Sequence, residues 1–263
     1  MGDSSAASSS AILTNSAEIS TRDRLASDCQ TRGRLIVALD FPAPGEALAL
    51  VERLEGRARW FKVGLELYIA AGPAIVEKLA GDGYSVFLDL KLHDIPNTVA
   101  GGVRSAAGLG AKLLTVHAAG GPAMLQAARE AAESAPEAPE LLAVTVLTSM
   151  NEAQLAATGV DRLPGRQVEL LARMGLEAGI DGFVCSPQEV AALRALTGPA
   201  GTLVIPGIRP AGAALGDQSR VATPAAALRD GASYLVVGRP ITQADDPARA
   251  VEAIVAEMAG KAV

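Results

Sequence analysis

Residues 84–110, YSVFLDLKLHDIPNTVAGGVRSAAGLG, contain one complete strand–helix unit. The first part, YSVFLDL at residues 84–90, is apolar and rich in aromatic and β-branched residues, which is typical of a buried strand. The second part, residues 97–110, spaces its apolar residues as an amphipathic helix does. The same order of strand and helix recurs along the chain, so this unit sets the fold.

Seven further apolar runs have the length and composition of buried strands. They are LIVALD (35–40), WFKVG (60–64), KLLTVHA (112–118), LLAVTVL (141–147), DGFVCS (181–186), TLVIPG (202–207) and YLVVGR (234–239). A segment of helical period follows each run. Strands that are apolar throughout are buried on both faces, which is characteristic of parallel sheets. Eight such units predict an α/β protein with a closed (β/α)8 barrel, the TIM barrel.

An open, doubly wound sheet is the alternative fold. That fold carries a G-x-G-x-x-G turn after its first strand, and this sequence has no such turn there. The length of 263 residues suits a single barrel domain, which we expect over residues 33–263. Residues 1–32 are rich in Ser, Ala, Thr and Asp without periodicity, so we expect them to form a mobile N-terminal extension.

The amino-acid composition argues against several classes of function. With 23 Lys and Arg against 29 Asp and Glu, the net charge is −6 and no broad basic surface for nucleic acid is expected. The sequence contains no apolar run long enough to span a membrane, and its first residues lack the basic and apolar regions of a signal peptide. Cys29 and Cys185 form neither a disulfide framework nor a metal-ligand pattern. These features predict a cytoplasmic protein.

Polar residues stand where the predicted strands end. The residues are Asp40, Lys62, Asp89 with Lys91, His117, Thr148, Arg209 and Arg239. In a (β/α)8 barrel the carboxyl ends of the strands meet on one rim, and the active site lies there. So many polar groups converging on one rim indicate a functional site.

The third strand carries its charges at alternate positions. If residues 87–93 are extended, Asp89 and Lys91 point to the same face of the strand. An isolated buried charge costs several kcal/mol, so these two need partners of opposite sign, and Asp40 and Lys62 are the obvious candidates. The alternative is an ion-pair cluster that only stabilises the fold, but buried ion pairs are weak stabilising devices.

Asp94 and the two histidines are open to structural interpretations. Asp94 stands just before an expected helix start at Pro96, so it is either a helix N-cap or a site residue. Strand alternation turns Asp94 away from Lys91, which leaves a role in the site of a neighbouring subunit. His93 and His117 have no partners at metal-ligand spacing and are predicted to be hydrogen-bonded structural residues.

Two glycine-containing loops follow strands seven and eight: IPGIRPAGAALGDQSR (205–220) and VVGRPIT (236–242). Loops in these positions of a barrel commonly bind phosphate through backbone N–H groups and a nearby cation. Gly207 and Gly238 permit close backbone approach, and Arg209 and Arg239 supply positive charge. We therefore predict a phosphorylated substrate, with ordinary turns as the alternative. The Ala- and Gly-rich stretch after Arg209 has the composition of a mobile lid.

Several motifs together resemble the orotidine 5′-monophosphate decarboxylase family. In chain order they are LIVALD, FKVGLEL, FLDLKLHDIPNT, TVHAAGG, VTVLTSM, PGIRPAG with GDQ, and VVGRPIT. The similarity covers residues 34–258. Its most specific part is the block DLKLHDIPNT, which contains the D-x-K-x-x-D pattern of Asp89, Lys91 and Asp94.

The resemblance implies a chemistry and an assembly. The reaction is the decarboxylation of orotidine 5′-monophosphate to UMP, the last step of de novo pyrimidine synthesis, without a metal or other cofactor. The enzyme is a homodimer with sites at the subunit interface. Lys91 would protonate C6 as CO2 leaves, and Asp89 would lie beside the departing carboxylate. Lys62 and Asp94 of the other subunit would complete the charge network.

The resemblance also implies the residues that bind the substrate. Asp40 and Lys62 would hold the ribose hydroxyls with help from Thr98 of the other subunit. Thr148 would contact the pyrimidine, and Gln218 would bridge base and phosphate from the lid. Arg209, Gly238 and Arg239 would lie at the phosphate end.

Two other functions remain open from the sequence. The first is a Mg²⁺-dependent sugar-phosphate decarboxylase or aldolase with the same D-x-K-x-x-D pattern. The second is a non-catalytic nucleotide-binding barrel whose ion network is structural.

Overall fold

Eight parallel strands close into one barrel in the order β1 to β8, with β1 pairing with β8. The computed structural model describes residues 30–210 and 221–260. The strands are β1 Leu35–Ala38, β2 Trp60–Gly64, β3 Ser85–Leu92, β4 Leu113–His117, β5 Glu140–Val144, β6 Gly182–Val184, β7 Thr202–Ile205 and β8 Tyr234–Val237. The predicted (β/α)8 barrel is confirmed, and the open sheet is wrong.

Helices follow every strand within the described residues. They are α1 Pro44–Arg53, α2 Leu65–Ala71, α3 Ala74–Gly81, α4 Pro96–Ala107, α5 Pro122–Glu133, α6 Glu152–Ala157, α7 Pro164–Glu177, α8 Val190–Thr197, α9 Pro224–Arg229, α10 Arg239–Thr242 and α11 Pro247–Met258. Six of these helices begin with proline, whose fixed φ suits the first helical position and whose missing N–H is not needed there. Over residues 30–210 and 221–260, no helix has the length and apolar character needed to cross a membrane.

Alternate residues of the strands belong to two apolar cores. In β1, Leu35 and Val37 belong to the large core between strands and helices, whereas Ile36 and Ala38 belong to a smaller core inside the barrel. At the N-terminal ends of β2 and β8, the rings of Trp60 and Tyr234 pack against the inner core with centroids 5.0 Å apart. These rings fill that end of the barrel, so the open space lies at the carboxyl ends of the strands.

Two of the expectations fall largely outside the described residues. Of the predicted N-terminal extension, residues 30–32 are described and are helical, and residues 1–29 are not described. The predicted lid, with Gln218, lies in residues 211–220, which are also outside the described ranges. The roles assigned to these segments stay predictions.

Candidate active site

Four charged side chains of alternating sign cross the carboxyl ends of β1, β2 and β3. Lys62 Nζ lies 2.8 Å from Asp40 Oδ1 and 3.8 Å from Asp89 Oδ2. Lys91 Nζ donates hydrogen bonds to both carboxylate oxygens of Asp89, each at 2.8 Å. The structure therefore brings together the four residues that the sequence analysis placed in one network. We call these four residues the charged row.

The charged row is most buried at its centre. The side chains of Asp89 and Lys62 are 13% and 12% exposed, whereas those of Lys91 and Asp40 are 33% and 58% exposed. A buried carboxylate needs compensating charge because removing it from water costs several kcal/mol. Asp89 receives that charge from two ammonium groups. Asp89 and the two ammonium groups thus hold one another in position, as transition-state stabilisation requires.

Lys91 reaches Asp89 from an irregular backbone. Its φ is +50°, in the left-handed region that residues with a side chain rarely adopt. The pairing of β3 with β4 changes register at the same place: Leu88 pairs with Leu114, and Leu92 pairs with Val116. Three residues of β3 therefore stand opposite one residue of β4. The regular alternation predicted for residues 87–93 is wrong at Lys91, because this bulge interrupts the strand.

Thr115 is the β4 residue opposite the bulge, and it is not among the predicted site residues. Its hydroxyl accepts a hydrogen bond from the backbone N–H of Lys91 at 2.8 Å and donates to Asp89 Oδ1 at 3.0 Å. Thr115 is fully buried. Its signal in the sequence is weak, because a threonine is an ordinary residue in a β-strand.

Two cavities open at the carboxyl ends of the strands. The first, of about 210 Å³, is lined by residues that include Lys62, Asp89, Lys91, Thr148, Pro206 and Val236. The second, of about 400 Å³, is lined by residues that include Asp40, Lys62, Pro206, Gly207, Arg209, Val236, Gly238 and Arg239. Because Lys62, Pro206 and Val236 belong to both, the cavities adjoin. A single elongated ligand can extend from the charged row to the two arginines.

The arginines of the second cavity differ in burial. Arg209 is 9% exposed, and its guanidinium donates to the carbonyl of Ile208 at 2.9 Å. Its backbone N–H donates to the carbonyl of Ala222 at 3.0 Å, which fixes the chain on both sides of residues 211–220. Arg239 is exposed and begins α10, directly after Gly238. The predicted phosphate-binding residues in the described ranges therefore line one cavity.

A third cavity, of about 640 Å³, lies on the outside of the barrel between α7 and α8. It is the largest of the three, but it contains none of the charged row. Among its charged residues, Glu169 is ion-paired with Arg166 and Arg173 along the same helix. Such exposed pairs within one helix are typical of a solvated surface. We therefore assign the site to the two adjoining cavities.

Asp94 and Thr98 lie apart from these two cavities. Both residues are exposed, and neither lines either cavity. Helix α4 has Ile95 as its N-cap residue, so Asp94 is not the N-cap. The Asp94 carboxylate instead accepts a hydrogen bond from the backbone N–H of Ile95 at 2.6 Å.

The rings of His93 and His117 stack beside the charged row, with centroids 5.2 Å apart and an interplanar angle of 20°. Nδ1 of His117 also accepts a hydrogen bond from the backbone N–H of Ala119 at 3.4 Å. Burial lowers the pKa of His117 below its usual 6.5, and the charges of His93 and Lys91 lower the pKa further. The structural role predicted for His117 agrees with these contacts.

Similarity to known proteins covers most of the chain. The chain is 52% identical over 227 residues to the orotidine 5′-phosphate decarboxylase of Nitrosococcus oceani, covering 86% of this chain and 98% of that protein. It is 54% identical over 226 residues to the protein of the same name from Halorhodospira halophila, covering 86% and 96% of the two chains. The crystal structure of orotidine 5′-phosphate decarboxylase from Lactobacillus acidophilus superposes with a TM-score of 0.76 at 41% identity, covering 85% of this chain and 98% of that chain.

The closed barrel, with the charged row at the carboxyl ends of its strands, defines the class as a (β/α)8-barrel enzyme. The model of the orotidine 5′-phosphate decarboxylase / HUMPS family matches residues 33–254. The chain belongs to this family.

Proposed function

We propose that the protein decarboxylates orotidine 5′-monophosphate to UMP and CO2, the last step of de novo pyrimidine synthesis. The observation that carries the proposal is the contact between Lys91 and Asp89, in which one ammonium group is held by both oxygens of a largely buried carboxylate. The similar proteins from Nitrosococcus oceani and Halorhodospira halophila are named orotidine 5′-phosphate decarboxylases, which supports the same reaction for this protein.

Lys91 is the proposed proton donor. When the bond between C6 and the carboxylate breaks, its electron pair stays on C6 in the plane of the ring, with little delocalisation. A fixed ammonium group stabilises this charge, which exists only in the transition state and the carbanion. Lys91 Nζ then transfers a proton to C6, giving UMP, and takes a proton back from solvent. CO2 leaves as a neutral molecule.

The rest of the charged row holds Lys91 in place and contacts the substrate. Asp89 would lie beside the departing carboxylate, with Lys62 next to it. Asp94 of a second subunit would complete the network. Asp40 and Lys62 would also bind the ribose hydroxyls, which suits their position in the cavity that contains the two arginines.

The two cavities suit the two ends of this nucleotide. Thr148 lines the cavity of Lys91, where we propose that it contacts the pyrimidine. Arg209, Gly238 and Arg239 would bind the phosphate in the adjoining cavity. Gln218 would bridge base and phosphate. Binding energy from the phosphate, far from C6, would help to position the reacting carbon.

A homodimer would account for the position of Asp94 and Thr98. Three large apolar side chains are exposed on the segments that follow β2 and β3, namely Leu65, Ile69 and Ile95, at 50%, 79% and 67%. Exposed apolar side chains of this size are common at protein–protein interfaces. Asp94 and Thr98 are near Ile95 in the chain, so a second subunit that covers Ile95 would cover them too.

We propose that the reaction needs no metal and no organic cofactor. Asp40 and Asp89 already have lysine partners, with which a divalent cation would compete. The family model also covers HUMPS proteins, and a Mg²⁺-dependent sugar-phosphate decarboxylase or aldolase is the second candidate. A non-catalytic nucleotide-binding barrel is the third.

A spectrophotometric assay with orotidine 5′-monophosphate separates the three candidates. We expect loss of orotidine absorbance at the same rate with and without EDTA. Turnover that EDTA abolishes would contradict the metal-free reaction. Binding of UMP without any turnover of orotidine 5′-monophosphate would favour the non-catalytic barrel.

A further inference from the structure

Thr115 is hydrogen-bonded to two neighbouring residues of the charged row, Asp89 and Lys91. Its hydroxyl donates to Asp89 Oδ1 at 3.0 Å and accepts from the backbone N–H of Lys91 at 2.8 Å. A hydroxyl has one proton to donate and lone pairs to accept. In this position the hydroxyl of Thr115 uses its donor on the carboxylate and a lone pair on the backbone. The residue is fully buried, and it lines neither of the two adjoining cavities.

The bulge in β3 explains why the backbone of Lys91 needs this partner. Between the pairs Leu88–Leu114 and Leu92–Val116, the regular ladder of β3 and β4 is interrupted. Lys91 sits in the interruption with a left-handed φ of +50°. A residue with a side chain holds such a backbone only when its surroundings fix it. The hydroxyl of Thr115 takes the place of the missing backbone acceptor on β4.

We propose that Thr115 is a positioning residue for the decarboxylation. Through one hydroxyl it sets both the rotation of the Asp89 carboxylate and the backbone from which the Lys91 side chain extends. It thereby fixes where the ammonium group lies relative to C6 of the substrate. This inference rests on the proposed function, and it adds a supporting residue on β4 to the charged row, whose members come from β1, β2 and β3.

Because of where Thr115 lies, we expect it to affect the chemical step and not the binding of the nucleotide. The proposed ribose and phosphate contacts come from Asp40, Lys62, Arg209 and Arg239, whereas the hydroxyl of Thr115 bonds to Asp89 and to the backbone of Lys91. Removing the hydroxyl should therefore lower kcat and leave the affinity for nucleotide nearly unchanged. A residue that only packed the barrel would not produce this division.

Thr115→Val removes the hydroxyl and keeps the shape, and Thr115→Ser keeps the hydroxyl and removes a methyl group. We expect kcat of Thr115→Val to fall about 100-fold, because a small displacement of reacting groups costs this much. Its KM and its Kd for UMP should stay within about twofold of wild type. Thr115→Ser should retain most of the wild-type kcat. If Thr115→Val does not fold, Thr115→Cys against Thr115→Ser makes the same comparison, since the thiol is a poor hydrogen-bonding group of similar size.

Each outcome is informative. Wild-type kcat in Thr115→Val would overturn the positioning role while leaving the proposed function intact. Equal losses of kcat in the Val and Ser variants would assign the effect to packing and would overturn it as well. Absence of turnover by the wild-type protein would overturn the proposed function and, with it, the role of Thr115.

Discussion

A Cβ atom on Gly64 would lie 2.8 Å from Nζ of Lys62 and 3.4 Å from Oδ1 of Asp40. Gly64 pairs with Asp89 across β2 and β3, so it stands at the centre of the charged row. Glycine is needed here because the ion pair of Lys62 with Asp40 occupies the space that a side chain would fill.

Gly64→Ala should therefore lower activity more than stability. The methyl group meets the flexible end of a lysine, which can move aside, so we expect the free energy of unfolding to change by less than about 1 kcal/mol. The displaced ammonium group would leave Asp40, and kcat/KM should fall roughly tenfold or more. Steady-state kinetics and denaturant unfolding measure the two effects.

Gly45→Ala is the matched control, because a Cβ at Gly45 would have no atom within 4 Å. This residue lies in α1, where alanine is the better helix former. We expect unchanged kinetics and equal or slightly higher stability. Equal kinetics in the two alanine variants would contradict the role assigned to Gly64.

Lys91→Ala and Asp94→Ala test whether one site uses residues from two chains. We expect each homodimer to lose activity by about 1,000-fold or more, with folding retained, since each lacks a proposed catalytic group at both sites. Random mixing of the two variants makes half of the dimers mixed, and each mixed dimer has one intact site. The mixture should recover about a quarter of the wild-type activity.

The measurement is turnover of orotidine 5′-monophosphate after the two variants are unfolded and refolded together. Each variant refolded alone is the control. No recovery in the mixture, with mixed dimers present by mass spectrometry, would mean that Asp94 acts within its own subunit. Wild-type activity of Asp94→Ala refolded alone would mean that Asp94 has no role in catalysis.

Arg239→Ala should weaken binding of the phosphate group of the substrate. A hydrogen bond to a charged group is worth about 2 kcal/mol, so kcat/KM for orotidine 5′-monophosphate should fall about 30-fold. For orotidine, which lacks the phosphate, the already low kcat/KM should not change. Arg229→Ala, at an exposed arginine at the end of α9, is the control for loss of one positive charge. Equal losses on both substrates would argue against a phosphate contact at Arg239.

The stability of the fold should depend on the protonation of His117. Its pKa is lowered in the folded protein by burial and by the charges of His93 and Lys91. The unfolded chain therefore binds a proton more readily, so stability is fully present above about pH 6.5 and is lost as the pH falls below that value. We expect His117→Asn, which keeps an acceptor for the Ala119 N–H, to flatten this dependence. Melting temperatures from about pH 5 to about pH 8 test it. A parallel decline in both proteins would assign the acid sensitivity to other groups.

The barrel could be predicted from the sequence because each β/α unit has a recognisable pattern of residues within its own segment. Strands buried on both faces are apolar throughout, and helices that begin at proline are separated from them by short loops. The three helices that were missed are α2, α6 and α10, which have seven residues or fewer. Of the described helices of this length, α9 alone was predicted, since segments so short contain little of the helical period.

The site could be predicted only where a residue's type and its position at a strand end sufficed. Asp40, Lys62, Asp89 and Lys91 met both conditions. The left-handed backbone of Lys91 could not be foreseen, because it depends on the pairing of β3 with β4. Thr115 and Gly64 were missed for the same reason: their importance lies in which neighbours the closed barrel gives them.

The contacts of Ala222 with Ile208 and Arg209 have a consequence for the evolution of this protein. Ile208 and Ala222 form a β-bridge, so the chain leaves the barrel before residue 211 and returns after residue 220 at nearly the same point. The entropic cost of closing a loop grows only with the logarithm of its number of residues. A segment whose two ends lie this close together can therefore change in length at a small cost. A change in the number of residues between these two anchors should therefore leave the geometry of the barrel unchanged.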